Sequence, residues 1–389
     1  MADGLAADVV TVAQKLGDAG ALADAGGFEY LNKLLFSVPS GHMAGRYAAI
    51  ITEKAATRAL VAAADKAKTI AEGEGESSEK VDQITSLFGA IYRKQAPNVP
   101  RLLSSLALAR TAHYEALERG ETIAGWRTHI PALTSRLSGG FRPGGLYILA
   151  ARPGVGKSSL SQDLGLSLSA DGLPTLFLSQ EMNDAELIDR GIANLASVNY
   201  GKLITGKLDE QDWMRTAEAV DSLALRPFYV DDQPALTLRD IRNKAKQVKG
   251  LKVLILDYLQ LTASNLHTEN RNSQIEEISR GLKALAKEMQ IAVLALSQLN
   301  RDVDKRASKR PGLSDLRDSG AIEQDADVVV FLWPVREYEH EGRKVIGCDI
   351  AKNRQGRTGE FGLDFYGELQ QWRESADDIK QTNGKGNDL

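Results

Sequence analysis

The segment Ala151-Arg152-Pro153-Gly154-Val155-Gly156-Lys157-Ser158-Ser159 combines two glycines, a lysine and two hydroxyls. It follows the apolar run Leu146 to Ala150 and precedes a helix-like stretch, which is the strand-loop-helix setting of a phosphate-binding P-loop. Gly154 and Gly156 allow backbone N–H groups to turn inward around phosphate oxygens, with Pro153 and Val155 completing the loop. The following helix presents its positive N-terminal end to the same anion. Lys157 then reaches the β- and γ-phosphates, and Ser158, with Ser159 beside it, supplies a hydroxyl that can complete the octahedral shell of Mg2+. Ala151 stands where glycine is usual, a mild change provided the backbone there keeps a negative φ. The alternative is a Gly-rich turn that binds nothing, and the Lys-Ser pair and the flanking strand count against it.

Other polar residues close buried runs, where ligands sit in open α/β sheets. Asp257 follows Val253-Leu254-Ile255-Leu256, an arrangement that supports Mg2+ through its water shell or, alternatively, caps a helix. Glu181 lies just after the run Thr175 to Ser179 and is the candidate base for an attacking water; the alternative is a first-turn glutamate facing a helix dipole. Gln298 closes the run Ile291 to Ser297, where an amide can sense the γ-phosphate or merely be solvated. Lys352 and Arg354 are two positions apart on one face of an extended segment, a cationic pair suited to an anion or an exposed basic hairpin.

The elements that must position these residues fall into two textures. Up to about Lys94 the periodicity is helical: Asp8 to Gly17, Phe28 to Ser37, and His42 to about Glu72, followed after Gly73-Glu74-Gly75 by a helix from Ser78 carrying Val81, Ile84, Phe88 and Ile91. The last two form a helical hairpin. Pro97 and Pro100 mark a boundary, beyond which a linker helix of about Arg101 to Arg119 carries Leu102, Leu106 and Ala109 on one side. After Gly139-Gly140, short β-rich runs alternate with helices, including Val328 to Trp333 and Val345 to Ala351, which gives an α/β domain with a mostly parallel sheet. The expected division is a helical domain over 1–96, a linker helix over 97–120, the α/β domain over 121–374 and a polar, disordered tail over 375–389.

With 389 residues, 43% of them hydrophobic and 26% charged, the chain can fill two domains. Its net charge of −4 gives no general attraction to nucleic acid, so any such contact needs a local basic surface. Arg301 to Arg310, with Lys305, Arg306 and Lys309, is one candidate; the other reading is a solvated charge run. One cysteine, Cys348, excludes an intrachain disulfide, and the absence of a secretory pattern or a membrane-length apolar run leads to the expectation of a cytoplasmic protein without membrane contact.

Taken together, Ser179-Gln180-Glu181-Met182, Asp257-Tyr258-Leu259-Gln260-Leu261, Ser297-Gln298-Leu299-Asn300-Arg301, Leu316-Arg317-Asp318-Ser319-Gly320, Glu323-Gln324-Asp325-Ala326-Asp327 and Lys352-Asn353-Arg354 resemble, in order and spacing, the DnaB-type replicative helicases. The resemblance covers about Thr122 to Trp372, extends through the linker helix and is visible in Gly26-Gly27-Phe28-Glu29-Tyr30-Leu31. It implies a RecA-like motor that forms a ring hexamer, encircles single-stranded DNA and moves 5′ to 3′ by hydrolysing ATP with Mg2+ to unwind forked duplex. It also implies docking of the linker helix on a neighbouring subunit, and a helicase loader and a primase as further partners. By similarity, Lys157 and Ser158 hold phosphate and metal, Asp257 supports the metal, Glu181 is the base and Gln298 couples the γ-phosphate to DNA binding. Arg190 contacts nucleotide, Lys352 and Arg354 reach the nucleotide of the adjacent subunit, and Arg317, Asp318 and Gly320 grip the DNA backbone. Gln180 and Asp318 are small departures from the family pattern, and the helical domain is expected to lack the family's first helices while keeping the hairpin. Two other functions share parts of this pattern: an ATP-dependent DNA-binding scaffold or helicase subunit that does not unwind alone, and a RecA-type strand-exchange protein. The linker helix and hairpin count against the latter.

Overall fold

The computed structural model describes residues 9–18, 20–37, 41–73, 75–77, 80–81, 83–84, 87–88, 102–120, 125–257, 259, 271–306, 309–316, 320–338, 342–377 and 379. They divide into two compact units, Met1–Ala109 and Arg110–Leu389. In the first, α1 (Val9–Asp18), α2 (Gly27–Ser37) and α3 (Gly41–Glu72) follow the helical periodicity, and α4 (Leu103–Glu118), which spans the boundary, falls where a linker helix is expected. The division between units lies inside α4, beyond the Pro97–Pro100 break, which itself falls outside the described residues, as does most of the helix expected from Ser78.

In the second unit one nine-stranded sheet runs in the order β3-β2-β4-β5-β1-β6-β7-β8-β9. β1 (Leu146–Ala151), β2 (Thr175–Ser179), β4 (Val253–Asp257), β5 (Ala292–Gln298), β6 (Val328–Tyr338) and β7 (Arg343–Asn353) are the expected runs, the last two longer than their apolar cores. β3 (Phe228–Asp231), β8 (Gly359–Tyr366) and β9 (Gln371–Glu374) are not evident from hydropathy. β3 is a short, half-buried edge strand, β8 is interrupted by Gly362, and β9 is mostly polar. Strands from β3 to β6 pair in parallel, while β6 through β9 are antiparallel, so the sheet is mixed but mostly parallel.

The central parallel strands β1, β2 and β4 are buried along their length, as a sheet covered on both faces requires. On one face α6 (Lys157–Ala170) inserts Leu160, Leu164 and Leu168 among Phe177, Ile255 and Leu294. The other face is closed by α11 (Arg271–Met289), whose Ile275, Ile278, Leu282 and Leu285 meet Leu254, Val293 and Val329. Between them in sequence lie α7 (Asp184–Ala196), α8 (Tyr200–Thr205), α9 (Glu210–Ala224) and α10 (Leu238–Gln247), with the short α5 (Pro131–Arg136) before β1 and α12 (Gly320–Asp325) before β6. The register sets Ala151 beside Gln298 and Ser179 beside Asp257, so the carboxyl ends of β1, β5, β2 and β4 converge.

The antiparallel extension braces the helix that follows the P-loop. Trp372, from β9, donates from Nε1 to Ser159 Oγ at 3.1 Å and stacks on Phe365 with ring centroids 4.4 Å apart. Behind it, His129 Nε2 lies 2.9 Å from Asp163 Oδ2 on α6 and 3.2 Å from the Trp372 carbonyl. Ser375 and Asp377 are not part of a free tail: Ser375 N donates to the Gly362 carbonyl at 3.0 Å, and Asp377 Oδ2 is 3.2 Å from Arg343 Nη1. These two contacts hold the residues just after β9 against β8 and β7.

Burial opposes protonation of His129, but the hydrogen bond and charge of Asp163 and the Trp372 carbonyl outweigh it and raise the imidazole pKa above its ordinary 6.5. A raised folded pKa stabilises the fold below 6.5, and the contribution is lost as pH rises through the folded value. Urea unfolding between about pH 6 and about pH 9 is expected to show stability declining across this window, with a shallower decline in His129→Ala. An identical slope in the variant would rule out this linkage.

Candidate nucleotide site

β1 ends in Ala151, which lies in the strand without positive φ, so the absent glycine costs no backbone strain. The loop then turns through Gly154 at φ 80° and Gly156 at φ 107° before α6 begins at Lys157. Only glycine enters that region without strain, and the turn leaves the first amides of α6 without intrahelical partners. Together they form a cradle for an anion.

A cavity of about 530 Å³ opens over this cradle, lined by Arg152, Pro153, Gly154, Gly156, Lys157 and Ser158, among others. Lys157 is buried, and its Nζ lies 3.0 Å from Asp257 Oδ1, 3.5 Å from Glu181 Oε2 and 3.4 Å from Ser158 Oγ. The second oxygen of Asp257, Oδ2, is buried without a hydrogen-bond partner among the described residues. A buried acceptor of this kind beside a serine hydroxyl fits a hydrated Mg2+, which takes few protein ligands and keeps several waters. Glu181 is about half exposed, with its side chain 56% accessible, and borders the cavity where a water could be deprotonated.

Gln298 also lines the cavity from the end of β5. Arg190 reaches it because Asn183 caps α7 by accepting from Glu186 N at 2.8 Å, which sets the helix phase. Its Nη2 donates to Glu186 Oε1 at 2.6 Å, and its Nη1 is 3.5 Å from Gln370 Oε1. Two of the expected binding residues differ from the simple expectation. Val155 buries its side chain in the core, leaving only its backbone for a ligand, and Ser159 directs its hydroxyl to Trp372 while bordering the cavity.

Lys352 and Arg354 do not line this cavity. From the end of β7 they donate instead to the carbonyls of Glu323 and Gln324 at the end of α12, and Arg354 Nη1 is 3.8 Å from Asp327. Burial and then the neighbouring Arg354 lower the Lys352 pKa. Gly320 begins α12, whereas Arg317 and Asp318 lie outside the described residues. The basic run is partly compensated: Arg306 makes two 2.6 Å contacts with Asp315, and Lys305 lies 2.7 Å from Asp302.

Residues to which motif reading gave no role complete the wall: Arg152, Met182, Glu186, Phe365 and Gln370. The spacing of Glu186 and Arg190, one helical turn apart, was a usable signal. Phe365 and Gln370 come from the β8–β9 hairpin, more than two hundred residues from the loop in sequence, and had no local signature.

Comparison with known proteins agrees with this geometry. A family model described as the DnaB-like helicase C terminal domain matches residues 125–374, and one described as the DnaB-like helicase N terminal domain matches residues 1–53. The chain belongs to the DnaB-like helicase family. It is an ATP-dependent replicative DNA helicase by that membership. The chain is 38% identical over 378 residues to a replicative DNA helicase DnaB of Leifsonia xyli, covering 95% of this chain and 82% of that protein. A replicative DNA helicase DnaB of Geobacillus stearothermophilus is 34% identical, with coverage of 94% and 82%. Among solved structures, an isolated ATPase domain matches with a TM-score of 0.64 and 31% identity over 69% of this chain and 98% of that one. A structure of a DnaB-like replicative helicase and its interactions with primase matches with a TM-score of 0.68 and 28% identity, covering 96% and 88%. These matches do not favour the strand-exchange or scaffold alternatives. Among the described residues of this helicase, no helix is long and apolar enough to cross a membrane.

A Cβ added to Gly156 would lie 2.6 Å from Cζ2 of Trp372 at a φ of 107°. Gly156→Ala is therefore expected to lower unfolding free energy by more than about 1 kcal/mol and to abolish binding of a fluorescent ATP analogue. Wild-type urea stability together with wild-type binding would contradict the cradle described here.

Proposed function

We propose that this helicase works as a ring hexamer that encircles single-stranded DNA, moves 5′ to 3′ and unwinds forked duplex DNA, using ATP and Mg2+ at the P-loop. The observation that carries this reading is the placement of Lys157 between Asp257 and Glu181 at the floor of the nucleotide-sized cavity. In this reading the α6 amides and Lys157 bind the phosphates, and Ser158 and Asp257 would hold Mg2+. Charge neutralisation on the phosphate oxygens is the chemistry that ion would supply when bound. Glu181 accepts the proton of the water that attacks the γ-phosphorus, and Gln298 contacts the γ-phosphate. Arg190, Phe365 and Gln370 form the wall for the rest of the nucleotide.

Lys352 and Arg354 act on the site of the adjacent subunit, which agrees with their position outside their own cavity. Assembly is further supported by exposed apolar side chains on α4, where Leu103 is 80% accessible, and on α9, where Trp213 is 60% accessible. Residues 1–96 form the helical domain, 97–120 the linker and 121–374 the motor. Arg317, Asp318 and Gly320 hold the DNA backbone without reading sequence. A primase, as in the comparison structure, and a helicase loader are the partners we assign beyond DNA, in the cytoplasm.

Fork unwinding with a 5′ single-stranded tail tests the reading, monitored with ATPase on the same sample. The intact chain is expected to separate the strands, and Glu181→Gln to bind ATP while losing about 10²–10⁴-fold in turnover and all unwinding. Strand separation by Glu181→Gln, or none by the intact chain in the presence of its loader, would refute it. For the finger, Arg354→Ala is expected to retain ATP binding and lose most turnover, about 10³-fold. Mixing it with Lys157→Ala should restore part of the turnover, because mixed neighbours can complete a site; no restoration would contradict action between subunits.

A further inference from the structure

Arg152, the first residue of the loop after β1, borders the nucleotide cavity but sends its guanidinium away from the phosphate cradle. Its Nε donates to Asp304 Oδ2 at 2.8 Å, its Nη2 lies 2.8 Å from the same oxygen, and its Nη1 donates to the Leu299 carbonyl at 2.9 Å. A planar guanidinium fixed at three nitrogens defines both distance and orientation between the groups it joins. Leu299 N also donates to the Ala151 carbonyl at 3.1 Å, so the P-loop entry and the segment after β5 are tied by backbone and side chain together.

That segment is tied in turn to the 3₁₀ turn Leu313–Asp315 and to Leu316, which lead into the proposed DNA loop. Asp304 sits in a 3₁₀ turn, Arg301–Lys305, pinned to the core by buried Val303. Leu299 bridges Leu316, Asn300 N donates to the Asp315 carbonyl at 3.0 Å, and Arg306 grips the Asp315 carboxylate with both Nη atoms at 2.6 Å. Leu316 immediately precedes Arg317. Charged and backbone contacts thus form a continuous path from the P-loop entry to residue 316, beside the strand pairing of Ala151 with Gln298.

We infer that the Arg152–Asp304 pair is a positioning device that couples nucleotide at the P-loop to the hold of the Arg317 loop on single-stranded DNA. This rests on the motor reading above. Asp304 does not line the nucleotide cavity and is about half exposed, with its side chain 51% accessible, so its role is to position Arg152 and the 3₁₀ turn relative to each other. Arg152 is the member of the pair that borders the nucleotide cavity, so the pair links that border to the 3₁₀ turn.

The test uses the full chain carrying Asp304→Asn, which keeps the side-chain shape and removes the charge, and Asp304→Glu, which keeps the charge. ATPase is measured without and with saturating oligo-dT, oligo-dT affinity is measured with a non-hydrolysable ATP analogue and with ADP, and the melting midpoint is recorded. Asp304→Asn is expected to retain basal turnover and the melting midpoint while its stimulation by DNA falls about five- to tenfold and the nucleotide dependence of DNA affinity shrinks likewise. Asp304→Glu is expected to recover most of both. Wild-type stimulation in Asp304→Asn overturns the inference, as does equal loss in both variants accompanied by a lowered melting midpoint, which is the mark of a purely structural role. A wild-type chain whose ATPase ignores oligo-dT would overturn the motor reading and this inference with it, and needs no variant to be seen.

Discussion

The contact of Lys157 with Asp257 and Glu181 constrains everything around it. Lys157 and Asp257 are both buried, and an ion pair removed from water costs several kcal/mol per ion, so its retention is poorly explained by stability alone. The trio carries one positive and two negative groups, and Asp257 leaves one buried oxygen without a described partner. In the function proposed above, a polyanion arriving with Mg2+ would resolve both conditions: the lysine would gain phosphate oxygens, and the carboxylates would face a cation and a water. On that proposal the pair is a site held ready for nucleotide.

That readiness depends on the sheet. Lys157 meets Asp257 only because β4 is two strands from β1 with all carboxyl ends aligned, and Glu181 joins them because β2 pairs with β4 in the register Ser179 to Asp257. α6 can begin at Lys157 because Leu160, Leu164 and Leu168 anchor it over the sheet, while Trp372 closes the space beside Gly156. The antiparallel strands thus contribute to phosphate binding from a distance, by fixing where the first turn of α6 lies.

The loop, Asp257, Glu181 and Gln298 were legible because each follows an apolar run, and parallel strands place such residues at one end of a sheet. Hydropathy located those runs to within a residue or so at the site-facing ends. What it missed has a common cause. Phe365, Gln370 and Trp372 come from strands with glycine or polar residues, and they meet the P-loop through pairing far along the chain. Charge partners were equally hidden: nothing local shows that Arg306 binds Asp315, or that Arg152 turns to Asp304 instead of the phosphates. Resemblance supplied roles for Lys352 and Arg354 that their spacing could not, since a basic pair on one strand face is equally a surface feature.

The most direct measurement is the Mg2+ dependence of ATP binding, by titration calorimetry with and without the metal, in the wild-type chain and in Asp257→Asn. If Asp257 is the acceptor that fits the hydrated metal and Lys157 the phosphate contact, Mg2+ tightens binding by the wild type. Asp257→Asn then binds metal-free ATP at least as well and loses that gain. A gain from Mg2+ that survives unchanged in Asp257→Asn would contradict the account.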